Sequence, residues 1–288
     1  MENLVQRFFV IVLVSLSAVV LIIANNHESN LEIILVLISV ITVGLAFFLE
    51  KKTPFRKAWN KNIGDLKTDL SSAATLVILV DPIIKILLPL LVIAAYKCWN
   101  VEYTQSSLPF YIQVIVVTLV IEFGKYWSHR LHHLQTSLWW LHAMHHSSKR
   151  LYFMNNLRFH PVNYLINSVI GFTPVMLMGF SPNAILGYLV LTQPLVLIQH
   201  ANIDLKSGWS NYLFSTNEAH RWHHSITSSE ANSNYGNALL IWDHVFGTFR
   251  APDGFTKEKR VGLFSSRSCY PENSSYWQQI KSMFVPPC

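Results

Sequence analysis

Residues 108–146 read LPFYIQVIVVTLVIEFGKYWSHRLHHLQTSLWWLHAMHH, an apolar run that passes straight into two clusters of histidine. From Leu108 to about Tyr126 the run has the composition of a membrane-spanning helix, which needs about 20 mainly apolar residues. Beyond it, His129 and His133 stand four apart, and His142, His145 and His146 stand at i, i+3, i+4. The chain is therefore expected to be all-α: an integral membrane helical bundle with a histidine-rich cap on its cytosolic side.

Composition supports this over the whole chain. Of 288 residues 51% are hydrophobic and only 13% charged, whereas soluble domains carry about a quarter charged residues. That shortage excludes disorder, a long solvated coiled coil and most ordinary soluble enzymes. Phe8–Ala24 and Ile33–Leu49 are uncharged apolar runs joined by the short polar loop 25–30, and read as a hairpin of two spans. A cleavable signal peptide fits the first run badly, because the run is long and Asn-Asn-His-Glu is a poor cleavage site. Ser72–Tyr96 is a third segment, interrupted by Asp81-Pro82, Lys85 and Pro89. It reads as a kinked span or a partly interfacial helix. Phe159–Ile203 holds 45 residues without Asp, Glu, Lys or Arg, about twice a bilayer core as one helix. Gly179-Phe180-Ser181-Pro182-Asn183 supplies the turn that splits it in two. About five to six membrane segments result. The chain divides into an N-terminal hairpin with a basic loop (1–70), a catalytic membrane unit (71–250) and a polar C-terminal tail (251–288).

The net charge of +6 suggests nucleic acid until the charges are located: six of the 22 basic residues are Lys51, Lys52, Arg56, Lys57, Lys61 and Lys67. A basic run directly after an apolar segment is a topology signal that puts this loop in the cytosol. No nucleic-acid partner is expected. Counting spans from there places every histidine cluster on the same face. Cys98, Cys269 and Cys288 lack metal-ligand or disulfide-framework spacing and read as free thiols. Asn273-Ser274-Ser275 is a glycosylation sequon only on paper, since the tail is expected on the cytosolic side.

Twelve of the 13 histidines lie between His129 and His244. The third cluster, His220, His223 and His224, repeats the i, i+3, i+4 spacing of the second, which on a helix lets three imidazoles converge on one point. Neutral imidazole is a preferred ligand for iron, zinc and copper. Eight ligands (His129, His133, His142, His145, His146, His220, His223 and His224) are too many for one ion with an open position, and suit two. His132 lies off the ligand face of its helix. His200 and His160 are candidates for the one or two further ligands that two six-coordinate ions would take. His244 reads as structural, and His27 lies in the opposite loop. Arg130 and Asp243 read as groups that orient ligands.

These boxes resemble those of the fatty acid hydroxylase/sterol desaturase superfamily of membrane di-iron enzymes, which carry HxxxH, HxxHH and a second HxxHH. They stand here at 129–133, 142–146 and 220–224. Tyr126-Trp127, Leu138-Trp139, Arg158-Phe159-His160-Pro161, Asn234-Tyr235-Gly236 and Trp242-Asp243-His244-Val245-Phe246-Gly247-Thr248 extend the likeness over about residues 110–250. Glu122 stands where the superfamily often has Asp, and Glu122, Tyr126, His129 and His133 form one helical stripe.

The resemblance implies an O2-dependent oxidoreductase with two iron ions, for which zinc can substitute in isolated protein. It would hydroxylate or desaturate a C–H bond of a membrane lipid: a sterol, a fatty acyl chain or an ether lipid. No GxGxxG or haem pattern is present, so the electrons are expected from an external cytochrome b5- or ferredoxin-type donor. The membrane would be the endoplasmic reticulum in a eukaryote or the inner membrane in a bacterium. Two rivals are a histidine-rich metal transporter or sensor, whose ligands should lie near the bilayer midplane, and an inactive scaffold of the same fold, which should have lost ligands.

Overall fold

The computed structural model describes residues 2–264 and 269–284. Among them there is no β-strand, only three isolated bridges. Helix α1 (Glu2–Asn26) turns into α2 (Leu31–Lys52), whose first amides are capped by Asn30, its Oδ1 accepting from Glu32 and Ile33. Helices α3 (Leu66–Ala74) and α4 (Asp81–Trp99) are joined by a π-helical stretch, Thr75–Val80, into one rod of 34 residues, Leu66–Trp99. The widened turns end where Pro82 withholds its N–H, so the proline starts a regular helix instead of breaking one. Asp81 is held by Lys85 at 2.7 Å and accepts from Tyr164 Oη at 3.2 Å. The interruption expected here is thus a satisfied polar notch in a continuous helix.

Helix α5 (Phe110–Leu134) carries the first box out of the bundle, and α6 (Thr136–His146) carries the second. The long uncharged stretch divides at Gly179 (φ 75°) into α7 (Pro161–Leu177) and α8 (Pro182–Ile198), the latter capped by Ser181. Short helices complete the described chain: α9 (Asn217–His223), α10 (Ser228–Ala231), α11 (Ile241–Val245) and α12 (Tyr276–Lys281).

Among the described residues four helices are long and apolar enough to cross a membrane, Leu4–Asn26, Leu31–Lys52, Leu66–Trp99 and Phe110–Leu134. Their outer faces leave Ile78, Ile41 and Val40 about two-thirds exposed (68%, 66% and 65%). Apolar stripes this long and bare are stable only in lipid. Helices α7 and α8, of 17 residues each, are about 25 Å long; α7 leaves Val162, Leu165 and Ile170 exposed, whereas α8 sits inside the bundle. There α8 packs on α1, α2 and α5 through a core that includes Leu21, Val117, Ile121, Tyr188 and Val190. Helix α7 lies close along α5 because position 124 is glycine: a Cβ there would meet the Ile170 carbonyl oxygen at 2.6 Å.

The basic loop after α2 packs against the segment after α8, with Phe55 N–H donating to Asn202 O at 3.0 Å and Asp204 N–H to Thr53 O at 2.9 Å. Buried Glu50 clamps the same end, accepting from the Phe153 and Asn202 amides at 2.7 Å each. The basic loop and all three histidine boxes therefore occupy one end of the bundle. The described part of the C-terminal segment is also packed into that end: Gly262 N–H donates to His224 O, Trp140 Nε1 to Ser282 Oγ, and Tyr276 is buried. Cys98 is free and exposed, as read from the sequence, but Cys269 is disulfide-bonded, which corrects its reading as a free thiol.

Candidate metal centre

Nine histidines converge at the packed end. His129, His133, His142, His146 and His223 form one group, and His145, His200, His220 and His224 the other, with ligand atoms in each group within 4.8 Å of one another. A first-row ion takes imidazole nitrogen at about 2.1 Å, so ligands across one ion stand about 4.2 Å apart; both groups have this scale. They adjoin, His146 and His224 being stacked with ring centroids 4.3 Å apart.

The two HxxHH boxes are each split between the groups, which corrects the expectation that three imidazoles of a box meet at one point. His142 and His146 join the first group and His145 the second; His220 and His224 join the second and His223 the first. The 100° advance per residue permits the division, since i and i+4 lie 40° apart whereas i+3 lies about 100° from i+4. Each box thereby bridges both groups.

Six of the nine rings are locked by an acceptor behind them. Nδ1 of His129, His145 and His223 faces the backbone oxygens of Tyr235 (2.9 Å), Arg158 (3.3 Å) and Ser233 (2.9 Å). Nδ1 of His133, His142 and His200 faces Oδ1 of Asn232 (3.2 Å), Asn163 (2.9 Å) and Asn155 (2.8 Å). The Asn163 orientation is fixed by logic: Ser128 O can only accept from His132 Nδ1, so His132 Nε2 must accept from Asn163 Nδ2, leaving Oδ1 toward His142. In a neutral ring an Nδ1–H donor leaves Nε2 unprotonated.

That tautomer leaves a repulsion that a cation between the two rings would relieve. His129 and His142 both donate from Nδ1, yet their Nε2 atoms face each other at 3.0 Å. Two lone pairs at that distance repel, and no proton is available to share. Protonating the rings is opposed by burial first and by neighbouring rings second, which hold His142, His145, His146 and His224 well below the usual range. For His200, burial first lowers the pKa to about 3. Buried His133 Nε2 has no hydrogen-bond partner. A neutral all-nitrogen donor set in two adjoining groups suits two borderline ions such as iron or zinc.

The other residues singled out in the sequence are placed as follows. His160 is not brought into either group: it caps α7, Nδ1 accepting from Val162 N–H at 3.2 Å. His132 also stays outside, with both nitrogens used as described. His244 binds Tyr212 O at 2.8 Å on the surface. Glu122, Tyr126, Arg130 and Asp243 direct their polar atoms to other partners. Asp243 holds the amides of Tyr235 and Gly236 at 2.8 Å each, fixing the carbonyl that receives His129. Arg130 donates to Tyr126 Oη, Tyr126 to Thr248 and Thr248 to Asp243, a chain whose direction is set by the terminal carboxylate. Glu122 accepts from Tyr188 Oη, Asn237 Nδ2 and the Ala238 and Leu239 amides, anchoring the segment that follows Tyr235.

Sequence reading missed Asn155, Asn163 and Asn232 and the buried ion pair of Asp69 with Arg158. Polar residues inside or beside an apolar helix were the available signal, and Asn163 in α7 carries it plainly. Aromatic rings close the rest of the site: Phe159 stacks on His145 at 4.2 Å, and Phe264 lies over His133 at 5.8 Å and Trp139 at 4.2 Å.

Residues 114–248 match the sequence profile of the fatty acid hydroxylase family. The chain is 33% identical to the ornithine lipid hydroxylase OlsE of Rhizobium tropici over 218 residues, 73% of this chain and 65% of that protein. It is 34% identical to human alkylglycerol monooxygenase over 136 residues and 30% to the zebrafish (Danio rerio) protein over 135, covering 29% and 30% of those chains. The chain thus spans just under two thirds of the bacterial relative and less than a third of the animal ones. No solved structure matches it.

Proposed function

We propose, from the match of residues 114–248 to the fatty acid hydroxylase family, that this chain is an O2-dependent di-iron hydroxylase of a membrane lipid. The observation that carries the proposal is the pair of adjoining histidine groups in which His129 and His142 meet Nε2 to Nε2. His129, His133, His142, His146 and His223 would hold one ion, and His145, His200, His220 and His224 the other. Two iron ions, when bound, supply the redox chemistry that activates O2 toward an unactivated C–H bond.

The chain's own groups do the rest. Acceptors behind six rings keep Nε2 unprotonated and aimed inward, so the donor set is formed before metal arrives. Phe159, Trp139 and Phe264 wall the site against water, which protects a reactive centre from side reactions. Lipid enters sideways from the bilayer, since the centre lies at the end of the apolar helices. The unit 71–250 supplies the chemistry, with the described residues of the 1–70 hairpin and of the 251–288 segment packed against it. By the positive-inside rule the loop Lys51–Lys67, and the centre beside it, face the cytosol.

The relatives' names favour hydroxylation over desaturation, and point to an amino-acid-headed lipid or an ether lipid as the substrate class. Comparative lipid analysis of a host expressing the chain or its His145→Ala variant tests this. One lipid species gaining one oxygen only with the unmodified chain is expected; identical lipid profiles overturn the reading.

A further inference from the structure

Trp222 stands between ligands of the two histidine groups in sequence and is 3% exposed, with Phe255, Arg250 and Lys259 packed against its ring. Phe255 meets it edge-on at 5.2 Å, with Lys259 Nζ 4.0 Å and Arg250 Cζ 4.4 Å from its ring centre. Next to these, Lys257 lies over Phe55 at 5.8 Å, and Arg56 donates to the Thr256 and Lys259 carbonyl oxygens. The basic loop after α2 and the 255–260 loop thus form one positive surface above Trp222.

The charges are layered. The acids that pair with this surface lie beneath it: Glu230 and Asp204 side chains are 15% and 19% exposed, against 30% for Lys259, 38% for Arg250, 54% for Lys257 and 60% for Lys206. Glu258 is the exposed acid of the same loop, and it faces Arg56 and Lys257. The more exposed cations outnumber Glu258, so an approaching molecule meets a net positive surface. Trp222 and His223 are consecutive residues, so a covalent path leads from the ring under this surface to a ring of the first group.

We propose that the surface formed by Arg56, Arg250, Lys257 and Lys259 over Trp222 is the docking site of an acidic one-electron carrier protein, and that Trp222 passes its electrons to the centre. This rests on the hydroxylase reading above. The balance is R–H + O2 + 2 e− + 2 H+ → R–OH + H2O. The carrier docks twice per turnover, each time losing one electron, and the protons come from water. Electron-transfer encounters use small, weak interfaces, in which complementary charge sets the encounter rate and makes it salt-dependent.

The test uses the full chain in detergent with reduced [2Fe–2S] ferredoxin and, separately, the soluble domain of cytochrome b5 as probes. For the unmodified chain, carrier affinity measured by direct binding should weaken at least tenfold between low and high salt. Lys257→Glu/Lys259→Glu should weaken it tenfold at low salt while leaving the lipid KM and dithionite-driven turnover unchanged. Trp222→Phe should bind the carrier normally but oxidise it several-fold more slowly. Salt-independent affinity for both carriers, or unaltered affinity in the double variant, overturns the proposal. So does a double variant that loses only binding to anionic phosphatidylglycerol vesicles, since the surface then serves lipid. Unaltered carrier oxidation in Trp222→Phe overturns the electron path. No dithionite-driven turnover by the unmodified chain counts instead against the hydroxylase reading.

Discussion

Asp69 of α3 and Arg158 form an ion pair in the interior, Oδ1 to Nε at 2.5 Å, with side chains 0% and 3% exposed. The pair stands directly behind the second histidine group. The Arg158 carbonyl oxygen receives His145 Nδ1–H, and Tyr152 Oη donates to the other Asp69 oxygen at 2.5 Å. Asp69→Asn leaves a buried guanidinium without its counter-charge, a change that costs about 3–5 kcal/mol. A lower unfolding temperature and fewer metal ions per chain are expected. A variant that keeps both values shows that Arg158 does not depend on this partner.

Asn163 links His132 to His142 through its two amide ends. Asn163→Ala removes the acceptor behind His142 and should weaken metal binding roughly 10–100-fold, the usual cost of losing such a partner. Asn163→Asp keeps an oxygen toward His142 and should recover part of the affinity. Competition against a chromogenic chelator measures both, and equal affinity in all three proteins removes Asn163 from the account.

His200 and His160 separate cleanly in the structure. His200 Nε2 lies 3.1 Å from His220 Nε2, whereas His160 caps a helix. His200→Ala should lower the metal content of purified protein, and His160→Ala should leave it at the unmodified value while costing about 1 kcal/mol of helix capping. Elemental analysis decides, and the reverse pattern would exchange the two roles.

Metal removal should destabilise the protein beyond the loss of activity. Without a cation the facing nitrogens of His129 and His142 repel inside a buried site. With iron or zinc at 1,000 times its dissociation constant the folded state gains about 4 kcal/mol. Thermal unfolding after chelation, and again after metal is restored, gives the difference. An unchanged midpoint indicates that the groups do not bind metal tightly.

Acid should act in the same direction. His200 titrates near 6.5 when unfolded but is lowered to about 3 in the fold, and the pKa of His145, His146, His220 and His224 is lowered as well. Below pH 6.5 the unfolded chain therefore binds more protons than the folded one. Stability should be full above that pH. It should fall as pH drops from about 6.5 toward 3, by at most about 1.4 kcal/mol per pH unit for each such ring. Metal occupancy should fall in the same window. Stability that is flat from pH 7 to 5 argues against buried neutral rings.

Much of the molecule was legible along the chain. Uncharged runs gave the hairpin α1–α2, and Gly179 with Pro182 gave the split between α7 and α8, because turn chemistry and hydropathy are local. The eight box histidines were legible for the same reason: helical spacing alone sets side chains on one stripe. His200 was readable only as a candidate, having no helical partner of its own.

What local pattern could not carry was the assignment of rings to groups. The spacing i, i+3, i+4 is equally consistent with one shared point and with two, and only the placement of α5, α6 and α9 against one another divides each box. Asn155 and Asn232 lie on segments remote in sequence from the rings they orient, as does Asp69 from Arg158. The sequence by itself determined a helical membrane bundle with its histidines gathered at one end. Only the tertiary structure decided which nitrogens face each other and which oxygens stand behind them, because hydrogen-bond partners of a buried ring are set by packing between distant segments.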